Sequence, residues 1–255
     1  PTRLAARLLG ADVPTRGRSM KHARTELLAG RAWWQAAMPR SAGTAGAARC
    51  ACFGLLWAGD PRRAAYEAAL STSVTHGHPV ATTAAAAFAA AVALAARGDG
   101  PLDGAWIEAV TEIAAGFEQG AVPGKTVVDR LRVLPALIGQ PAESVLAIVG
   151  TGAIAIEAVP AALWCAAAHA DPVEGVVAAV SAGGDTDTIA AMAGACLGAR
   201  NGEAAWPSNL TNLAGLDEVR VVADRISIHT ADGPDASEST PATDATGTPA
   251  DGVTG

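Results

Sequence analysis

The sequence predicts an all-α fold, a compact multi-helix bundle, on three observations. Half of the 255 residues are apolar, alanine above all, and only 4% are aromatic. Alanine is the best helix former, whereas sheets draw more on valine, isoleucine, threonine and aromatic residues. Helix-start signals recur, and between them apolar residues return every three or four positions.

Taken in order, Ser41–Gly46 is a small-residue loop leading into an apolar helix over Ala47–Trp57. Asp60-Pro61 offers an N-cap carboxylate with proline at the first helical position, and a helix follows over 61–73. Further periodic stretches predict helices over 81–97 and 103–118. Pro141 with Glu143 marks another start. Helices are then expected over 152–169, after Asp171-Pro172, over 188–199 and over 216–228. The total is about ten or eleven helices joined by Gly/Pro/Asp turns, with no 20–50-residue repeat that would indicate a solenoid. One helical domain is expected over 1–229. From Thr230 the composition turns to Asp, Ser, Thr, Pro and Gly, with little to bury, and predicts a disordered acidic tail over 230–255.

The net charge is −7. The tail holds five acids and no bases, which leaves the body near −2. With no basic stripe to neutralise phosphates, a nucleic-acid partner is not expected. The bases from Arg3 to Arg31 alternate with apolar residues and read as solvated helix faces. Cys50 and Cys52 are too close for an ordinary zinc pair and have no second pair to complete a site. All four cysteines therefore read as small reduced core residues. Ala84–Ala96 is shorter than the roughly 20 residues a bilayer needs, and Val145–Ala168 is interrupted by Gly150, Gly152, Glu157 and Pro160. No signal peptide is recognisable. A monomeric, cytoplasmic protein with no membrane span is expected.

Three segments carry chemistry. Gly183-Gly184-Asp185-Thr186-Asp187-Thr188 precedes the apolar run Ile189–Ala199. Read as extended chain, its carboxylates at i and i+2 project to one side with the Thr188 hydroxyl beside them. Three hard oxygens on one turn suit Mg²⁺, Mn²⁺ or Ca²⁺ rather than zinc. The competing interpretation is an ordinary helix start capped by Asp187 or Thr188. The loop Ser41–Gly46 resembles a phosphate cradle, since backbone donors and the helix dipole would favour an anion; a plain interhelical turn is the alternative. In Thr75-His76-Gly77-His78-Pro79, two histidines lie between helices without a sulfur or carboxylate near in sequence. A substrate contact is expected of His76, and structural or solvated roles of His22, His169 and His229. Gly120–Thr126 imitates a Walker A loop, but it is one residue short and lacks a preceding strand, so a turn at a helix boundary is expected there.

In this order, the three segments resemble the ADP-ribosylglycohydrolase family. The family's C-terminal G-G-D-T-D-T signature is matched in full by Gly183–Thr188. Glu157–Leu163 is similar to the family's Val-Pro-Ala helix, and T-H-G-H-P to its Thr-His-x-x-Pro turn. The ligand loop, close to G-N-G-x-x-M-R with a serine two residues earlier, corresponds to Ser41 and Gly43–Arg49, with Thr44 for Asn, Ala45 for Gly and Ala48 for Met. The likeness spans roughly Ser41–Ile226. No G-D-x-x-G or Thr-Asp-Asp-Thr segment precedes it, so the catalytic carboxylate is not assigned, and the chain reads as entering the fold after its first helices.

The resemblance implies magnesium-dependent hydrolysis of the N- or O-glycosidic bond between ADP-ribose and a modified protein side chain. Two Mg²⁺ (or Mn²⁺) are implied per site, with Asp185, Asp187 and Thr188 as metal ligands. Ser41, Gly43, Thr44, His76, Gly183 and Gly184 are implied to contact the substrate. The second expectation is an inactive or truncated homologue that binds ADP-ribose or a protein partner.

Overall fold

A computed structural model describes residues 2, 5–6, 17–118, 125–209 and 214–231. The described residues form twelve α-helices and no β-strand, as expected of an all-α chain. In chain order these are α1 (Arg18–Leu28), α2 (Ala45–Ala48), α3 (Ala51–Leu56), α4 (Pro61–Ser73), α5 (Pro79–Arg97) and α6 (Gly104–Ala115). They continue as α7 (Val127–Val133), α8 (Ala142–Val149), α9 (Ala155–Ala167), α10 (Pro172–Val180), α11 (Thr186–Asn201) and α12 (Leu216–Ala231). Three single 3₁₀ turns, at Trp33–Gln35, Pro135–Leu137 and Glu203–Ala205, join some of them.

The helix starts fall where the capping chemistry places them. The Asp60 carboxylate accepts from the Arg63 amide, Asp103 from Trp106 and Asp171 from Val173. Each satisfies one of the amides that the first helical turn leaves without a partner. Thr126 caps α7 by accepting from the Asp129 amide, so the Walker-like stretch does end at a helix boundary. Residues 120–124 of that stretch lie outside the described residues, and so does the tail from residue 232 onward. α12 continues to Ala231, beyond the expected end at 228.

The fold is organised around α5, whose Ala-rich length packs against α2, α3, α4, α6, α9 and α11. Thirteen of its residues are buried, Phe88 and Val92 among them. Methyl side chains let neighbouring helices approach on every side, and larger side chains fill the space between them: Ile107, Leu131, Leu134, Leu163, Trp164, Ile189, Met192 and Leu197. Both buried indoles find acceptors, Trp106 on the Ala91 carbonyl and Trp164 on the Leu137 carbonyl, each at 3.3 Å. A desolvated N–H left without one would be costly.

Two expectations change. With its flanks, the apolar run 84–96 becomes a 19-residue helix that is long and apolar enough to cross a membrane by length and composition. Capping at His78-Pro79 extends the helix beyond the apolar run itself, and protein covers it, with 72% of its apolar window buried. The expected helix 47–57 is instead two short helices, broken at Arg49-Cys50, where ψ is close to 0° at both residues.

Candidate active site

At the start of α11, Gly183 and Gly184 both have positive φ, +74° and +71°. A Cβ on Gly184 would overlap the Thr151 carbonyl oxygen, which accepts the Asp185 amide at 2.7 Å. The turn is therefore clamped to the loop before α9, and only glycine fits the contact. Helix begins at Thr186, so Asp187 lies in the first turn and the segment is not the extended run the spacing suggested. The N-cap is Asp185, not Asp187 or Thr188, and its side chain caps no backbone amide. Its two oxygens instead accept hydroxyls: Oδ1 from Thr188 and Oδ2 from Thr44, both at 3.0 Å. Asp187 Oδ1 accepts the Thr188 amide at 2.8 Å, so Thr188 bridges the two carboxylates.

The Thr44–Asp185 bond joins residues 141 apart in sequence and brings the Ser41–Gly46 loop onto the acidic turn. Two isolated bridges hold that loop, Gly43 with Ile154 and Met38 with His76. The Ala155 amide donates to the Ala42 carbonyl at 2.9 Å. The loop leads into the single turn α2 rather than an eleven-residue helix. A macrodipole summed over four residues is weak, so the dipole half of the phosphate-cradle argument does not carry over. Ser41 shares a 2.6 Å hydrogen bond with Ser19.

His76 sits behind the loop and is 2% exposed. Its Nδ1 lies 2.7 Å from the Thr75 hydroxyl, and its Nε2 faces Gly43, 3.9 Å from where a Cβ would stand. A Cβ on Gly46 would stand 2.5 Å from Thr72 Cγ2 and 3.2 Å from His76 Nδ1, so a side chain there would push the histidine away. Burial first, and then the neighbouring Arg49 cation, lower the His76 pKa from 6.5 to about 4, which keeps the ring neutral near pH 7. Arg49 donates through Nη2 to the Ser71 carbonyl and to the Thr75 hydroxyl, each at 2.9 Å. Burial lowers the pKa of its guanidinium as well.

Of the residues expected to act, Asp185, Asp187, Thr188 and Thr44 form one hydrogen-bonded cluster, with Gly183 and Gly184 shaping its turn. Gly43 and His76 meet at the loop beside it, and Ser41 is engaged with Ser19 at the loop's other end. Composition did not single out Glu157, whose Oε2 accepts the Gly152 amide at 2.9 Å and so braces the loop carrying Thr151. Thr75 and Arg49 were likewise not assigned a role. The adjacency of Thr75 to His76 was the available signal. His78 caps α5 by accepting the Val80 amide, a role not assigned to it from the sequence, and His169 Nδ1 meets the Cys165 carbonyl, a structural role as expected. Cys50, Cys165 and Cys196 are buried free thiols. Cys52 is not a core residue: it is exposed, because α3 turns it away from the packed side.

Carboxylate and hydroxyl oxygens without sulfur fit a hard divalent cation in kind. In number the set is short, since among the described residues no three His, Cys, Asp or Glu side chains cluster for a metal.

Fold and site together define a helical protein in which a small-residue loop is hydrogen-bonded to an acidic Asp/Thr turn at a helix start. The chain belongs to the ADP-ribosylglycohydrolase family, whose sequence profile matches residues 3–235, a wider span than the motifs of 41–226 alone. The family acts by glycosidic hydrolysis of ADP-ribose conjugates, and an ADP-ribose-modified protein is the corresponding kind of substrate. No match was found among curated proteins.

Proposed function

We propose that this chain releases ADP-ribose from a modified protein side chain by magnesium- or manganese-dependent hydrolysis of the N- or O-glycosidic bond. The observation that carries the reading is the Thr44–Asp185 hydrogen bond, which joins the two most distant signature segments into one site. Asp185, Asp187 and Thr188 would hold the cation. When bound, the cation supplies Lewis-acid polarisation of oxygen and a lowered pKa for water. The chain's own contribution is positional. Thr44 and Thr188 orient the Asp185 carboxylate, the turn at Gly183-Gly184 brings the backbone close, and Gly43 and His76 line the neighbouring approach. Fixing the ligand's diphosphate and ribose there would align the anomeric carbon without further ordering.

A second reading, binding of ADP-ribose without hydrolysis, is favoured by the short count of carboxylates at the turn. The two readings separate in one assay, release of ADP-ribose from ADP-ribosylated protein with and without Mg²⁺. Metal-dependent release that disappears in an Asp185→Ala, Asp187→Ala double variant supports hydrolysis. ADP-ribose binding by calorimetry with no release supports the binding module, and neither activity from a folded protein rejects both.

A further inference from the structure

The segment behind the ligand loop contains a directional chain of hydrogen bonds. Arg49 Nη2 can only donate, and it donates to Thr75 Oγ1 at 2.9 Å. The Thr75 hydroxyl must then place its single proton elsewhere. Two acceptors lie within reach: His76 Nδ1 at 2.7 Å and the Thr72 carbonyl at 3.3 Å. That carbonyl already accepts the amides of Thr75 and His76, at 3.0 and 2.9 Å. The shorter and unsaturated acceptor is Nδ1. A cationic donor on the hydroxyl oxygen also strengthens the hydroxyl as a donor in turn. With Nδ1 accepting, the ring proton of a neutral imidazole belongs on Nε2, the nitrogen that faces Gly43.

We propose that Arg49 and Thr75 are positioning residues that hold His76 in the Nε2-protonated tautomer, so that the neutral imidazole presents an N–H donor to a ligand oxygen at the Gly43 loop. The donor role rests on the reading of that loop as part of the ADP-ribose site; the tautomer assignment stands without it. Among the described residues Nε2 has no protein partner, which leaves the donor available. Its neutrality follows first from burial of the ring and then from Arg49, which a second positive charge would face across the Thr75 hydroxyl. The break between α2 and α3 turns Arg49 toward Ser71 and Thr75. The relay therefore depends on the helix being interrupted there.

The test is long-range ¹H–¹⁵N NMR of the uniformly labelled full chain near pH 7, with His76 assigned by the loss of its signals in His76→Gln. The expected spectrum shows a protonated Nε2 and a bare, hydrogen-bonded Nδ1. Thr75→Val and Arg49→Met are each expected to shift His76 toward the Nδ1–H form and to weaken ADP-ribose binding by about tenfold, the scale of one lost hydrogen bond. Thr75→Ser is expected to restore both. An Nδ1–H or doubly protonated His76 in the wild type overturns the assignment, and so does a folded Thr75→Val variant whose tautomer is unchanged. If either variant fails to fold, the wild-type spectrum alone decides. A wild type with the expected tautomer but no affinity for ADP-ribose overturns the donor role, and with it the ligand proposed for the loop, while leaving the relay in place.

Discussion

At Asp185 a residue type with a strong preference for capping helices stands at an N-cap and caps nothing, because two threonine hydroxyls hold its carboxylate. Thr44→Val keeps the shape and removes one of those hydroxyls. The expected outcome is a carboxylate held only through Thr188 and a clear fall in ADP-ribose release, with a loss of about 1 kcal/mol in stability measured by urea unfolding. Gly184→Ala should be far more damaging. The new Cβ has no room against the Thr151 carbonyl and the backbone there has φ of +71°, so several kcal/mol of stability or a displaced turn is expected. A variant with unchanged melting temperature would contradict this packing account. The G-G-D-T-D-T turn was legible in sequence because its glycines, acids and hydroxyls are contiguous. Its partner was not: nothing local to Thr44 reveals a bond to a residue 141 positions away.

Among the elements, long periodic helices were readable and short ones were not. α4 begins and ends where the Asp60-Pro61 signal and its periodicity place it, at Pro61 and Ser73. The split of α2 from α3 has no breaker residue to announce it, since Ala48-Arg49-Cys50 would suit a continuous helix. What decides it is tertiary: Arg49 reaches Ser71 and Thr75, while the Thr72 hydroxyl donates to the Gly46 carbonyl. Such contacts override local propensity. For α5 the prediction is one of volume. Ala89 is fully buried and its carbonyl lies against Gly54 of α3. Ala89→Leu should therefore overpack the helix junction and cost about 1–3 kcal/mol, read as a lower urea midpoint at similar slope. α12 lies at the other extreme. Val219, Val221 and Val222 are at least half exposed, and it is expected to exchange its amides faster than α5.

For the whole molecule, the buried titratable groups set the pH window. The pKa of His76 is lowered in the folded state, so the unfolded chain binds more protons between pH 6.5 and about 4. Stability should consequently fall as pH drops through that interval, by up to about 3 kcal/mol. His76→Gln should flatten the acid limb of melting temperature against pH. The sign reverses for Cys50, whose thiol burial pushes up to about 11. Its contribution is present below pH 9 and is lost as pH rises toward 11. Composition alone conveyed the all-α class of the molecule, because alanine-rich helices leave few alternatives. The arrangement around α5 was not legible, since it depends on which of many similar helix faces meet.

That arrangement has a consequence for how the chain is made. α5 is complete when Arg97 leaves the ribosome, yet one of the helices that covers it, α11, starts only at Thr186. At ordinary translation speeds the gap of about ninety residues lasts on the order of ten seconds. At the start of that interval a 19-residue apolar rod has only its upstream neighbours α2, α3 and α4; α6 and α9 join it in turn, and the face that α11 covers stays open to the end. To the machinery that sorts nascent chains, it presents the length and greasiness of a segment bound for a bilayer. Ribosome-bound intermediates halted before residue 186 should accordingly be captured by nascent-chain chaperones, and those extended past residue 201 should be released from them.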